Sequence, residues 1–262
     1  MALQRGSSPW DVSLWTRCEE SVPAVSAALP GCRLSCDLET AVEAVDIVVV
    51  CTPPRAIGDS ANALKGLLPA STPVTDAGSV KARIVAAMEE SLGGRFIGAH
   101  PMAGSEQSGI SAARPDLFDG AMCLLTPTPK SDAGALDQVR RLWEEAGCRL
   151  CEMSPAAHDM AVARISHLPH AVAAALVHAA LSNDPGIAAL AGSGYRDTTR
   201  IAIGPEPLWR EIFLDNREEL LSAISDLQVH LGTLKNALSR GDGKAIEAFL
   251  REARTFRAQE RE

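Results

Sequence analysis

The chain has little of what several protein classes require. Its 25 basic side chains are outnumbered by 33 acidic ones, and the formal net charge of -8 leaves no basic surplus to attract phosphate backbones. The N-terminal run MALQRGSSPW lacks the apolar core of a signal peptide, and no uninterrupted apolar stretch reaches the roughly 18 residues that a spanning helix needs. We therefore expect no nucleic-acid partner, no membrane and a cytoplasmic location.

Metal and disulfide frameworks are also missing from the pattern. The 7 cysteines are scattered without the paired spacing of a zinc site, and most are expected to be small buried apolar residues. Cys148 and Cys151 lie in a strand-like run, where alternation points the two sulfurs to opposite faces. We predict no metal site.

Enough apolar material is present for a substantial core, since 46% of the 262 residues are hydrophobic and 22% are charged. From Asp11 to about Cys151, short β-rich runs alternate with helical patterns, which is typical of a parallel sheet covered by helices. After Ser154 the periodicity is helical to the end. The sequence predicts an α/β protein with an N-terminal Rossmann-like parallel sheet at 1-152 and an all-helical domain at 153-262. The strand expectations are Val12–Trp15, Ile47–Thr52, Pro73–Thr75, Phe96–Ala99, Met122–Thr126 and Cys148–Cys151. The run Asp46–Cys51 is apolar on both faces, which predicts a central strand of the sheet, buried between helix layers.

The glycine-rich turn that binds a dinucleotide in such sheets is absent from the sequence. Met1–Arg5 resembles the tail of the first helix and Asp11–Arg17 the second strand, so the sheet is expected to be incomplete at its start. The late strings Gly192-Ser-Gly194 and Gly241-Asp-Gly243 lack the remaining glycine. One hypothesis is a start codon placed internally, which would omit about twenty residues, the size of a strand, turn and helix.

The segment Asp76-Ala-Gly-Ser-Val-Lys81 follows an apolar strand, at the edge where open α/β sheets bind ligands. Ser79 could cap a helix beginning at Val80 or contact a ligand, and the two roles are compatible. A second segment, His100-Pro-Met-Ala-Gly-Ser-Glu106, leaves the next strand. An imidazole titrates near neutrality, so His100 could take a proton from a substrate hydroxyl or be merely structural, while Glu106 could orient it.

A third segment runs from His158-Asp159 to Ser166-His167-Leu-Pro-His170 in one helical stretch that Pro169 could kink. His167 and His170 are three residues apart and share a helix face, but a third metal ligand is not evident. A fourth segment is Gly194-Tyr-Arg-Asp-Thr-Thr-Arg-Ile201, at a junction between a loop and a helix. Its arginines either bind a substrate carboxylate or pair with Asp197 on the surface.

These four segments, in this order, resemble the prephenate dehydrogenase family, whose members carry similar DxGSVK, HPMAGSE, HDxxxAxxSHLPH and FRDTTRIA strings. The resemblance implies an N-terminal dinucleotide domain, a helical C-terminal domain that forms most of a homodimer, and an active site between them. The implied reaction is the oxidative decarboxylation of prephenate to 4-hydroxyphenylpyruvate in tyrosine biosynthesis. Its substrate is a small ring-shaped dicarboxylate.

The same resemblance implies roles at matching positions. His100 becomes the acceptor for the substrate hydroxyl, with Ser79 beside it, and Arg200 the clamp for a substrate carboxylate. The other expected substrate-binding residues are Glu106, Asp159, His167, His170 and Asp197. The expected cofactor-binding residues are Thr16, Arg17, Thr52, Pro53 and Ser79. The whole assignment requires that His100 and Arg200 reach one small dianion.

Several alternatives remain open at this point. Thr16-Arg17 follows the second strand, where an acidic residue would bind the ribose of NAD, so the sequence favours NADP over NAD. Arogenate or an amino analogue of prephenate could replace prephenate as substrate. A truncated chain that binds such compounds without transferring hydride is the alternative from another class.

Overall fold

A computed structural model of the chain describes residues 1–5, 10–104 and 109–259. The chain divides into two compact units, Met1–Asn216 and Arg217–Glu262. Helices on both sides of residue 153 pack within the first unit, so its limit differs from the expected domain limit. The division at residues 152 and 153 stays a prediction.

Within the described residues, seven strands form, all in the first unit. They are β1 Ser13–Trp15, β2 Arg33–Ser35, β3 Val48–Val50, β4 Val74–Asp76, β5 Phe96–Pro101, β6 Met122–Thr126 and β7 Arg149–Glu152. Strands β1 and β2 pair with each other, and the others form a sheet in the order β3-β4-β5-β6-β7. Every pair is parallel except β5 with β6.

The predicted Rossmann-like architecture is confirmed, with three differences in detail. All six predicted strands form, but β2 was not predicted, because Arg33-Leu-Ser35 is short and two of its three residues are polar. Strand β6 returns antiparallel to β5, because the described part of their connection holds only the 3-10 turn Ile110–Ala112 and no crossover helix. Strand β3, expected at the centre, ends the five-stranded sheet and is only half-buried.

Helices cover this sheet on both sides. Those of the first unit are α1 Val22–Ala28, α2 Leu38–Ala41, α3 Pro54–Leu67, α4 Ala82–Leu92, α5 Ala133–Glu145, α6 Pro155–Val162, α7 Leu168–Leu181, α8 Ser193–Thr199 and α9 Glu206–Asp215. In the second unit, α10 Arg217–Ser239 and α11 Gly243–Gln259 pack against each other. Alternate residues of β5 serve separate cores, since Phe96 packs with α3 and α4 whereas Ile97 packs with α5. The sheet is thus a buried layer between helices.

A continuous helical segment, Pro155–Leu181, connects α6 to α7 through a π-helical turn at Ala163–His167. The Leu168 amide donates to the Ala163 carbonyl, a spacing of five residues. Pro169 explains the widening, because it has no N–H for the carbonyl of Ile165 and its ring crowds that oxygen. In the described part of the chain, this segment alone has the length and mean hydropathy of a membrane span. In the single chain 28% of its apolar window is buried, and the same segment buries Asp159 and His158.

Candidate active site

The fully buried carboxylate of Asp76, at the end of β4, organises two neighbouring strand ends. Its oxygens accept hydrogen bonds from the amides of Gly78 at 2.9 Å and Ala99 at 3.0 Å. Lys81, also fully buried, forms an ion pair with Asp76. Burial lowers the pKa of Lys81, although Asp76 opposes that shift. Asp76 therefore fixes the backbone next to both Ser79 and His100.

The start of α4 is capped by a side chain from another helix. Asp159 on α6 accepts the amides of Lys81 at 2.8 Å and Ala82 at 2.9 Å. The expectation that Ser79 caps a helix at Val80 is wrong, because α4 begins at Ala82 and Asp159 takes the cap position in space. Burial alone would raise the pKa of Asp159, but the hydrogen bond from His158 and those from the two amides outweigh it, and the pKa is lowered. Asp159 is an anion at neutral pH.

A chain of side chains runs from Asp159 to His100. Nδ1 of His158 lies 2.8 Å from Oδ1 of Asp159, and Nε2 of His158 lies 2.9 Å from Nδ1 of His100. His158 is completely buried, and His100 is 7% exposed at the end of β5. Burial, then the neighbouring His158, Lys81 and His167, hold the pKa of His100 well below its usual 6.5. Burial also lowers the pKa of His158, despite Asp159. Both imidazoles are neutral at neutral pH.

The π-helical turn and α7 add His167 and His170 to the same region. The Asn216 amide donates to the Asp159 carbonyl at 2.8 Å and lies 3.1 Å from Nδ1 of His167. Burial lowers the pKa of His167 to about 4. Its Nε2 is buried beside the Ser79 backbone without a hydrogen bond of normal geometry. His167 and Ser79 are therefore neighbours.

His170 is placed by an aromatic contact. Its ring stacks on Trp209 of α9 with centroids 3.5 Å apart, and its Nδ1 is buried without a partner among the described residues. Gly204 lies against both rings, since a Cβ there would stand 2.7 Å from Nε1 of Trp209 and 3.1 Å from Cε1 of His170. Only glycine allows this approach.

The predicted carboxylate-binding segment is exposed. Asp197 lies on α8, and Arg200 opens the 3-10 turn Arg200–Ile203, which packs against α7 just before Gly204. Both side chains are on the surface of the chain. Glu106 lies outside the described residues. The convergence of His100 and Arg200 on one substrate stays a prediction.

The expected cofactor residues lie at carboxyl ends of parallel strands. Thr16 follows β1, and its hydroxyl lies 3.0 Å from Oγ of Ser21, next to an exposed Arg17. Thr52 follows β3; its hydroxyl is buried with no partner among the described residues, and Pro53 precedes α3. An exposed guanidinium and an orphaned hydroxyl are groups that can hydrogen-bond a dinucleotide, and the assignment of these residues to the cofactor stays a prediction. The part of the chain that the structure describes supplies no glycine-rich turn for the pyrophosphate.

In the described ranges, no three His, Cys, Asp or Glu side chains are grouped to hold a metal ion. Sequence reasoning assigned no role to Asp76, Lys81 or His158, although all three stand inside the motifs it quoted. Trp209 and Asn216 were missed altogether. They reach the site through tertiary contacts that local sequence patterns do not report.

Models of known protein families match most of this chain. Residues 19–152 match the prephenate dehydrogenase nucleotide-binding domain, and residues 154–252 match the prephenate dehydrogenase dimerization domain. Cyclohexadienyl dehydrogenase of Zymomonas mobilis is 32% identical over 94% of this chain and 86% of its own length. Prephenate dehydrogenase of Bacillus subtilis is 35% identical over 70% of this chain, which spans only 51% of that relative.

A solved structure gives the same result. Prephenate dehydrogenase from Aquifex aeolicus, in complex with hydroxyphenyl propionate and NAD+, superposes with a TM-score of 0.88 at 33% identity, covering 98% of this chain and 92% of that one. The predicted family is confirmed: the chain belongs to the prephenate dehydrogenase family of oxidoreductases.

Proposed function

We propose that this chain catalyses the nicotinamide-dependent oxidative decarboxylation of prephenate to 4-hydroxyphenylpyruvate, in tyrosine biosynthesis. The proposal rests on the state of His100 at the ligand edge of the sheet. Its imidazole is neutral and buried, and hydrogen bonds connect it through His158 to Asp159. A neutral imidazole in such a place accepts a hydrogen bond from a substrate hydroxyl.

The bond changes fit this residue. A bound nicotinamide supplies the acceptor for the hydride from the ring carbon that carries the hydroxyl. As that carbon becomes electron-poor, His100 holds the hydroxyl proton; the bond to the ring carboxylate breaks, carbon dioxide leaves, and its electron pair enters the ring. The ring becomes aromatic, and the proton stays with the phenol oxygen or returns to it. The balance is one hydride and one carbon dioxide lost, with no net proton released.

Other residues take supporting parts in this proposal. Ser79 lies in the loop that Asp76 fixes, where its hydroxyl can contact the substrate hydroxyl or His100. Arg200 offers the planar guanidinium that binds a carboxylate with two hydrogen bonds. The buried wall of His167 and His170 excludes water, which strengthens polar contacts to a dianion. Asp197 and Glu106 are proposed to orient groups in the site or to gate access to it. Asp159, whose oxygens are engaged by amides and His158, contributes through positioning.

For the cofactor we propose NAD or NADP, held at Thr16, Arg17, Thr52, Pro53 and Ser79. Arg17 favours NADP because a guanidinium suits a 2′-phosphate, whereas the similar Aquifex structure contains NAD+. A comparison of KM for the two cofactors, in the wild type and in Arg17→Ser, decides between them. A lower KM for NADP that Arg17→Ser abolishes supports NADP.

We also propose a cytoplasmic homodimer assembled through the helical part beyond residue 153. The match of residues 154–252 to a dimerization domain supports this assembly. So do Val229, Leu231 and Leu238 on α10, which are 67%, 55% and 60% exposed in the single chain. Sedimentation of the purified chain tests it, and a monomer at micromolar concentration contradicts it.

The test of the activity is turnover of prephenate by the purified chain, followed by nicotinamide absorbance and by release of carbon dioxide. Formation of 4-hydroxyphenylpyruvate is the expected result. Arogenate is the second candidate substrate, because the Zymomonas relative is named for cyclohexadienyl compounds in general. Faster turnover of arogenate would replace prephenate in the proposal, and binding without turnover of either compound would leave a binding protein.

A further inference from the structure

The proposed chemistry depends on which nitrogen of His100 lacks a proton. A neutral imidazole has one protonated nitrogen and one lone pair, and only the lone pair accepts a hydrogen bond. Nδ1 of His100 faces another imidazole, that of His158, at 2.9 Å. The state of His158 therefore decides the state of His100.

The chain of hydrogen bonds can be followed from its fixed end. The carboxylate of Asp159 is an acceptor, because its oxygens accept hydrogen bonds from the backbone amides of Lys81 and Ala82. The contact of 2.8 Å between Asp159 and Nδ1 of His158 then requires the proton on Nδ1. Neutral His158 keeps its lone pair on Nε2. Nδ1 of His100 must donate to that lone pair, which leaves Nε2 of His100 without a proton.

The opposite set of tautomers is excluded by the same contacts. It would turn the lone pair of His158 Nδ1 toward the carboxylate of Asp159, so that two buried acceptors would face each other. It would also place a proton on Nε2 of His100. That nitrogen could then accept nothing from a substrate.

We propose that His158, held by Asp159, is a positioning residue that fixes His100 as the Nδ1–H tautomer and so makes Nε2 the atom that accepts the substrate hydroxyl. The inference rests on the proposed function and assigns a role to a residue that does not itself touch the substrate. While Nε2 holds the hydroxyl proton, Nδ1–H stays bound to His158, and the positive charge is paired through that ring with Asp159. The proton returns to the phenol oxygen by the reverse path.

Several titratable or charged side chains around His100 affect a positive charge on its ring. Charges on His158, Lys81 and His167 oppose a positive charge on the ring, so His158 must itself stay neutral, and Asp76 compensates Lys81 through their ion pair. Asp159 is the anion to which His100 is connected by hydrogen bonds, through His158. The relay is therefore the route by which a transient imidazolium is stabilised.

Nitrogen NMR of the whole chain tests the tautomer without any turnover. The sequence has only 6 histidines, so selective ¹⁵N labelling of histidine gives a simple spectrum, and His100→Asn identifies the signals of His100. At neutral pH we expect the shifts of a protonated Nδ1 and an unprotonated Nε2. A protonated Nε2, or an equal mixture, overturns the inference.

Variants of His158 test its consequence for catalysis. His158→Phe keeps a ring but has no acceptor, so kcat should fall by about tenfold or more while KM stays within about threefold. His158→Gln offers an amide oxygen to Nδ1 of His100 and should recover part of kcat. The control is His178→Phe, an exposed position on the same helical segment.

The outcomes separate this inference from the proposed function. Equal kcat in His158→Phe and His178→Phe overturns the positioning role, as does a Gln variant no better than Phe. If His158→Phe does not fold, the Gln variant and the wild-type spectrum still decide. A chain with the expected tautomer but no turnover rejects the proposed function and leaves the relay standing.

Discussion

The imidazole side of the site and the guanidinium side are built in different ways. His100 is buried and connected to Asp159 through His158, so its orientation is set before any ligand arrives. Arg200 stands on the surface, at the start of a short turn. Proton transfer needs a fixed geometry, whereas recognition of an anion tolerates a charge that is exposed to solvent. The difference indicates that substitutions on the two sides should damage different kinetic parameters.

The strongest test of the buried side is His100→Asn. We expect kcat to fall by roughly a hundredfold to ten-thousandfold, because the hydroxyl proton loses its acceptor. The dissociation constant of the cofactor should change little, as measured by calorimetry. Turnover close to that of the wild type would place the acceptor elsewhere.

A comparison of two helix caps sharpens the contrast between buried and exposed polar groups. Asp159→Ala leaves the amides of Lys81 and Ala82 and the Nδ1–H of His158 without their acceptor, and should lower the free energy of unfolding by about 3–5 kcal/mol. Asp132→Ala removes the exposed cap of α5, which accepts the Ala135 amide at 2.8 Å, and should cost about 1 kcal/mol. Urea unfolding measures both. Equal losses would contradict the structural weight given to Asp159.

The buried imidazoles also make stability depend on pH. Burial lowers the pKa of His167 from 6.5 to about 4, so the unfolded chain takes up its proton first as pH falls. The contribution of neutral His167 to the free energy of unfolding is fully present above pH 6.5 and is lost as pH falls toward about 4. The total loss is roughly 3 kcal/mol at most. His167→Gln should flatten this part of the curve of unfolding free energy against pH. An unchanged slope would mean that His167 titrates normally in the folded protein.

On the exposed side, Arg200→Ala should raise KM for the substrate by roughly ten- to thirtyfold. This factor corresponds to the loss of a charged hydrogen bond of about 1.5–2 kcal/mol. The increase should shrink at high salt, since surface charge pairs are screened. Arg210→Ala, also exposed, is the matched control on α9. An Arg200 variant with the same KM as this control would reject the clamp.

The same contrast explains what the sequence could predict. The strand before His100 and the helical stretch of His158–His170 follow from local periodicity, whereas the family was predicted from the resemblance of four sequence motifs. The relay could not be predicted, because His100 and His158 are 58 positions apart and their contact depends on how α6 packs against the sheet. The cap of α4 was assigned to Ser79 because local rules search nearby positions, whereas Asp159 reaches it from 78 positions away.

The position of β3 and the direction of β6 in the sheet could not be predicted for related reasons. An apolar run such as Ile47–Cys51 indicates burial but not the number of neighbouring strands, so β3 was placed at the centre although it ends its sheet. The direction of β6 depends on the connection that precedes it rather than on its own residues. Trp209 and Asn216 carried no motif, yet they fix His170 and His167.

The π-helical turn at Ala163–His167 has a consequence for changes in chain length. In a regular α-helix, residues eight positions apart, such as Asp159 and His167, point about 80° apart, whereas residues seven apart nearly coincide. The wide turn absorbs one surplus residue, so the backbone carbonyl of Asp159 and the imidazole of His167 both meet the amide of Asn216. Removing one residue within 163–166 should therefore keep the two flanks in phase, although Pro169 would still leave one backbone carbonyl without its helical hydrogen bond. The same deletion within α6, between Asp159 and the turn, would rotate Asp159 by about 100° relative to His167 and His170.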